Sequence, residues 1–211
     1  MTTELFRIAV ARRLRMPLLE EPACCPRCGM AMDKFMDHAL VRMCGGDRTS
    51  RHNAVRDALH TEASSASLRS EREKAGLLPP RPEGEESTQG DVGGTQARRP
   101  ADVWLPRGPD GRPTAVDFAV TSGLKPDMVV HSAQDGSVSI VEYEARKREY
   151  LDTEKQCRDA GMTFAPFVLE AHGGGVGPTG RRVCGFIASA AAATTGTEVE
   201  VSAAQRICSG A

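Results

Sequence analysis

Apolar Leu5, Ile8, Ala9 and Leu14 recur among arginines over residues 4–16, which predicts a short basic helix stopped by Pro17. A second helical period, Ala54, Val55, Ala58 and Leu59, runs through NAVRDALHTEASSASLRSEREKAG, with Thr49 or Ser50 placed to cap it. Residues 77–101 show no apolar period and are rich in proline and glycine, as a linker is. Two strand-like runs follow, ADVWLP and TAVDFAVTS, joined by PRGPDGRP, whose Pro-Asp-Gly is a turn; together they predict a β-hairpin. Residues 126–151 are ambiguous, because MVV and VSIV on either side of a QDGS turn read as a second hairpin. The stretch VEYEARKREYLDTEKQCRDAG reads as a helix ended by Gly161. MTFAPFVLEA alternates as a strand does, and GRRVCGFIASAAAATTG closes the pattern as a helix. This order describes a small α/β domain.

Composition narrows the picture. The chain has 211 residues and nine aromatics, so its core must rest on aliphatic side chains. The formal net charge is −1, which rules out binding of nucleic acid by bulk charge alone and leaves local clusters. The arginines at positions 12, 13, 15, 42, 48, 51 and 56 crowd the first sixty residues and are candidates for phosphate contact. No apolar run reaches the length of a membrane span, and the N-terminus lacks the apolar segment of a secretory signal. An intracellular setting is expected, so the seven cysteines read as thiols or metal ligands rather than disulfides.

The densest chemistry lies in CCPRCGMAMDKFMDHALVRMCGG. Cys25 and Cys28 are separated by two residues, the spacing at which two thiolates hold one ion, and Gly29 lets the chain turn beneath them. His38 and Cys44 supply the nearest further donors, in the order C-x2-C-x9-H-x5-C, with Cys24 and His52 as substitutes. Asp33 and Asp37 are candidates to orient His38. The expected ion is a structural Zn²⁺.

A second constellation is acidic. Asp102 begins the first strand of the hairpin and Asp117 lies within the second. Paired strands bring both to one end of the sheet, where two carboxylates can bind a hard cation such as Mg²⁺. Tyr143, Lys147 and Tyr150 fall at i, i+4 and i+7, one helical face that can be aimed at the acids. Taken singly, Asp102 also suits a turn cap and Asp117 an edge-strand charge, and Lys125-Pro126-Asp127 with Glu142 and Glu144 offers a competing set. The segment Gly175-Val-Gly177-Pro-Thr-Gly180 spells G-x-G-x-x-G but holds Pro178 and is read as a flexible loop.

In their joint order, the pieces CPRCG, DHAL, CGGDRTSRHNAVRDAL, RPADVWLP, AVDFAVTS, YEARKREYLDTEKQC and FAPFVLEAHGG resemble a known family. It is the C-terminal region of non-LTR retrotransposon reverse-transcriptase proteins, a Cys-Cys-His-Cys zinc knuckle joined to a restriction-like endonuclease of the PD-(D/E)XK type. The resemblance spans roughly residues 5–190 and is poorest at 77–98. It implies an α/β fold, a small mixed sheet flanked by helices and preceded by the knuckle and a helix. The implied organisation is a basic N-terminal helix (1–22), the knuckle and following helix (23–76), a linker (77–98), the nuclease domain (99–190) and a tail (191–211).

The resemblance further implies Asp102 and Asp117 as Mg²⁺ ligands, Lys147 as the catalytic lysine with Tyr150 beside it, and Cys25, Cys28, His38 and Cys44 as zinc ligands. Arg48, Arg51, His52 and Arg56 are the expected nucleic-acid contacts. Where the superfamily often places a lysine two residues beyond the second acid, this chain has Ala119; where the family runs H-A-L-x-C, it has Arg42, with Cys44 two residues later. The implied activity is nicking of target DNA by a metal-activated water, leaving a 5′-phosphate and a 3′-hydroxyl; the alternative is an inactive, zinc-dependent nucleic-acid-binding fragment. The implied partners are DNA, RNA as a second nucleic acid, and a polymerase domain normally in the same polypeptide, of which this chain would be a separated piece. The implied location is nuclear.

Overall fold

The computed structural model describes residues 2–41, 47–79, 100–124, 128–171 and 175–195. The chain divides into two compact units, Met1–Ala54 and Val55–Ala211.

In the first unit, α1 (Thr3–Arg13) is capped by the Thr2 hydroxyl, which accepts the Leu5 N–H at 3.3 Å. A left-handed Arg15 (φ 54) ends the helical run just before Pro17. Strands β1 (Ala23–Cys24) and β2 (Ala31–Met32) pair antiparallel, Ala23 opposite Met32. The turn between them is tied by Gly29 N–H to Cys25 C=O, and Gly29 takes the left-handed conformation (φ 70) that favours glycine. A short helix, α2 (Asp37–Val41), follows, and α3 (Asp47–Ser65) begins in this unit.

In the second unit, the later half of α3 brings Val55, Leu59 and Ala63 into a buried core. Then come β3 (Glu71–Arg72), β4 (Val103–Leu105), β5 (Thr114–Thr121), α4 (Val129–Gln134), α5 (Val138–Glu149), α6 (Thr153–Asp159), β6 (Thr163–Glu170) and α7 (Pro178–Thr195). The expected hairpin forms: β4 and β5 are antiparallel with Val103 opposite Val116, closed by the Gly108 N–H to Arg112 C=O bond. The sheet order is β3-β4-β5-β6, antiparallel except for β6, which runs parallel to β5. Parallel pairing requires a crossover, and α4 to α6 supply it. Pro166, which cannot donate to a ladder, sits on the edge strand β6.

Alternation divides the sheet into two faces. Val103, Leu105, Val116, Phe118, Ala165 and Phe167 join the core with α3 and with Val183, Cys184 and Ile187 of α7. Ala115 and Phe164 point the other way, to Cys157 of α6 and Met162. This is a mixed α/β fold with a four-stranded sheet, as expected.

Three elements depart from expectation. The helix after Ser50 ends at Ser65 rather than Gly76: left-handed Ser67 (φ 60) and Arg69 (φ 50) turn the chain, and Glu71 pairs with Trp104 in β3. The second hairpin is not formed, because VVHSAQ and VSIVEYEARKRE are helices. The Asp135 carboxylate accepts the Ser137 N–H at 2.9 Å and its O–H at 2.7 Å, turning the chain between α4 and α5. The helix expected up to Gly161 is broken at Tyr150–Asp152, where Leu151 and Asp152 are left-handed (φ 50 and 53).

The G-x-G-x-x-G segment is a packing junction rather than a flexible loop. A Cβ on Gly177 would overlap the Glu144 carboxylate and lie 2.8 Å from Ile140 Cγ2; one on Gly180 would lie 2.6 Å from Val176 Cγ1. Glu144, 3% exposed, accepts the Thr179 N–H at 3.1 Å and its hydroxyl at 2.7 Å, and so caps the start of α7.

Candidate active site and metal centre

The hairpin ladder ends at Val103 opposite Val116, with Asp102 just before Val103 on one strand and Asp117 just after Val116 on the other. Asp102 N–H bonds the Val116 carbonyl at 2.9 Å, that of the residue already opposite Val103, so the ladder slips at this point; Asp102 nevertheless lies close enough to Asp117 to act on its charge. One Asp102 carboxylate oxygen accepts the Phe118 N–H at 2.6 Å. That bond holds the carboxylate beside β5, a detail invisible in a sequence because its donor is main chain.

Lys147 reaches this pair from α5. Its Nζ lies 2.7 Å from Asp117 Oδ2, each side chain about a quarter exposed (25% and 24%). Burial pushes the Asp117 carboxyl up, and neighbouring Asp102 adds to it against the opposing pull of Lys147, which together leave it at about 6. Burial works against the Lys147 charge, but Asp117, Tyr143 and Asp102 outweigh it and raise its pKa. Two carboxylates and one ammonium, far apart in sequence, thus come together, each half-buried.

Tyr143 shares the Lys147 face, one turn earlier. Tyr150 does not continue it: α5 ends at Glu149, Tyr150 leaves the helical conformation (φ −57, ψ 115), and its side chain is largely exposed. The competing acids separate. Glu144 is the cap of α7 described above, Glu142 is exposed, and Lys125 to Asp127 lie outside the described residues.

In the first unit, Cys25 Sγ, Cys28 Sγ and a His38 ring nitrogen lie within 4.8 Å of one another, a group able to hold a metal ion. Cys28 Sγ is 3.0 Å from His38 Nε2. The β1–β2 turn positions the two thiols and α2 positions the imidazole. Cys24 and His52 are not in this group, and Cys44, the expected fourth ligand, lies outside the described residues. Asp33 accepts the Phe35 N–H at 2.8 Å, and Asp37 forms a two-pronged pair with Arg15, both bonds 2.6 Å.

Of the expected nucleic-acid contacts, Arg48 lies in the first turn of α3, Arg51 is exposed and His52 is half-buried on the same helix. Arg56 is drawn inward: its guanidinium, 14% exposed, bridges Asp57 at 2.9 Å and Glu73 at 2.8 Å. Among the described residues no helix is long and apolar enough to cross a membrane. No protein-family model, curated protein or solved structure matches the chain.

Proposed function

We propose that the chain carries a Mg²⁺-dependent DNA endonuclease of the restriction-like kind found in non-LTR retrotransposon proteins, preceded by a zinc knuckle. The observation that carries this reading is the Lys147 Nζ to Asp117 Oδ2 bond, made across the carboxylate neighbour of Asp102. The order of elements supports it as well. A helix, three antiparallel strands, a helical crossover and a fourth strand parallel to the third put one acid at the start of the middle strand and the other inside the next.

The donor set fits a hard divalent cation. Two carboxylates crowd one another, and one of them is held up by burial, the condition a dication relieves. Asp102 and Asp117 would hold Mg²⁺, which when bound supplies Lewis acidity to a phosphodiester oxygen and to an attacking water. Lys147 keeps its proton at neutral pH and offers an N–H⁺ to the extra negative charge that develops on phosphorus. Asp102 is kept in place by the Phe118 amide, so the acceptor oxygens are fixed before substrate arrives.

The test is conversion of supercoiled plasmid to the nicked circle by the full chain. Nicking is expected with Mg²⁺ or Mn²⁺ at pH 7–8 and none with a chelator present. Binding of DNA without nicking under those conditions overturns the endonuclease reading and leaves the inactive binding fragment in its place.

Zinc at Cys25, Cys28 and His38 is the other half of the proposal. These side chains supply three of the four donors that a structural zinc takes. Metal analysis is expected to find about one zinc per chain, lost on Cys25→Ser together with the order of the β1–β2 hairpin, which buries little else. Protein that is fully folded without zinc would remove this assignment.

A further inference from the structure

Arg12 carries a charge that the fold offsets only in part. It lies in the last turn of α1, half-buried, and one of its terminal nitrogens is buried with no hydrogen-bond partner. A guanidinium cannot shed its proton to escape burial, so the penalty stands until an anion meets it. The nearby acids are committed: Asp37 is gripped by Arg15 through both oxygens, and Asp33 accepts the amides of Phe35 and Asp37. Burial lowers the Arg12 pKa, and Arg51 and Arg15 act in the same direction, against Asp37 and Asp33. Three arginines thus converge where α1 ends, and the Arg15–Asp37 pair joins that point to α2, the helix that carries His38.

We propose that Arg12, flanked by Arg15 and Arg51, forms a binding site for one phosphodiester phosphate of a nucleic-acid backbone, beside the metal centre. The planar fork of arginine matches two phosphate oxygens, and a neighbouring second cation favours a polyanion over a carboxylate side chain. The nucleic-acid identity of the anion rests on the reading above; the site itself does not depend on Asp102, Asp117 or Lys147.

The experiment follows binding of a labelled DNA duplex by the zinc-loaded full chain across a salt series, comparing wild type, Arg12→Gln and Arg12→Lys. Thermal melting is measured alongside, with inorganic phosphate or chloride at matched ionic strength. Arg12→Gln is expected to weaken binding and to reduce the slope of log K against log salt by about one, the loss of a single phosphate contact. Its melting temperature without phosphate is expected to be unchanged or higher, because an uncompensated buried charge has been removed; a purely structural arginine predicts the opposite. Arg12→Lys keeps the charge and is expected to retain most of the slope.

An unchanged slope in Arg12→Gln overturns the proposal. So does phosphate protection of the wild type with DNA binding unaffected by the substitution, which assigns the site to a small free anion. Loss of zinc and melting temperature in Arg12→Gln overturns it in favour of a structural role. Absence of nicking with the slope change intact would sink only the endonuclease reading.

Discussion

Asp117→Asn is expected to cut Mg²⁺-dependent nicking by at least about 10³-fold, roughly 4 kcal/mol of lost transition-state stabilisation. DNA binding should be as tight as in the wild type or tighter, because a negative charge has gone from a site that faces phosphate. Asparagine keeps the shape of the side chain but cannot donate a charged oxygen to a dication, so the loss reports ligation rather than folding. The same variant carries a stability signature that needs no enzyme assay. Burial raises the folded pKa of Asp117 from 3.8 to about 6, so between those values the folded chain binds a proton that the unfolded chain has released. The associated stability is fully present below about pH 4 and is lost as pH rises through 6. It amounts to at most about 2–3 kcal/mol for a shift of this size. Asp117→Asn should flatten that part of the pH profile in the metal-free protein, measured by denaturant unfolding between pH 4 and 8. A wild-type profile that is already flat there would remove the raised Asp117 from the argument, and nicking that survives the substitution would remove its role as a ligand.

The acidic pair was legible in the sequence because both of its determinants are local. A Pro-Asp-Gly turn and two alternating strands fix the hairpin, and the hairpin brings Asp102, just before its first strand, near Asp117 in the second. Lys147 was legible for a different reason: helical spacing placed it with Tyr143, and only the crossover carrying α5 over the sheet converts a face into a contact. Tyr150 shows the limit of that reasoning. The run EYEARKREYLDTEKQC holds no glycine or proline, so periodicity continues through a break made by two left-handed residues. The sequence does contain a signal there, an Asp152-Thr153-Glu154 start to a new helix, and the Thr153 hydroxyl indeed bonds the Tyr150 carbonyl at 2.7 Å. Strand β3 had no local signal at all. SLRSEREK is rich in helix formers, and its two strand residues owe their conformation to pairing with β4. The valines of VVHSAQ and VSIV pointed to strands by propensity; burial of Ile140 and Glu144 on one face of α5 overrode it. Cys25, Cys28 and His38, a group able to hold a metal ion, meet as their spacing implied, whereas the unpartnered Arg12 nitrogen is a property of burial that no spacing reveals.

Lys147→Ala is expected to lower nicking by about 10²–10³-fold, the scale of removing one preorganised donor to a developing oxyanion. The loss of rate alone would not separate a group that touches the reacting phosphate from one that only holds α5 against the sheet. The pH dependence does. Lys147 is the cation that opposes the rise of Asp117, through its charge and through the 2.7 Å bond. Without it, burial and the charge of Asp102 act unopposed, and the Asp117 pKa climbs further. Residual nicking by Lys147→Ala should therefore have its acid limb displaced to higher pH than in the wild type, while Lys147→Arg, which restores the positive charge, should return the limb toward its original position even if its rate stays low. A merely structural lysine predicts the reverse pattern: a lowered melting temperature with the limb unmoved. Rate–pH profiles of the three proteins at subsaturating Mg²⁺, where the metal-free site still titrates, distinguish these outcomes, and an acid limb that is identical in all three would detach Lys147 from Asp117.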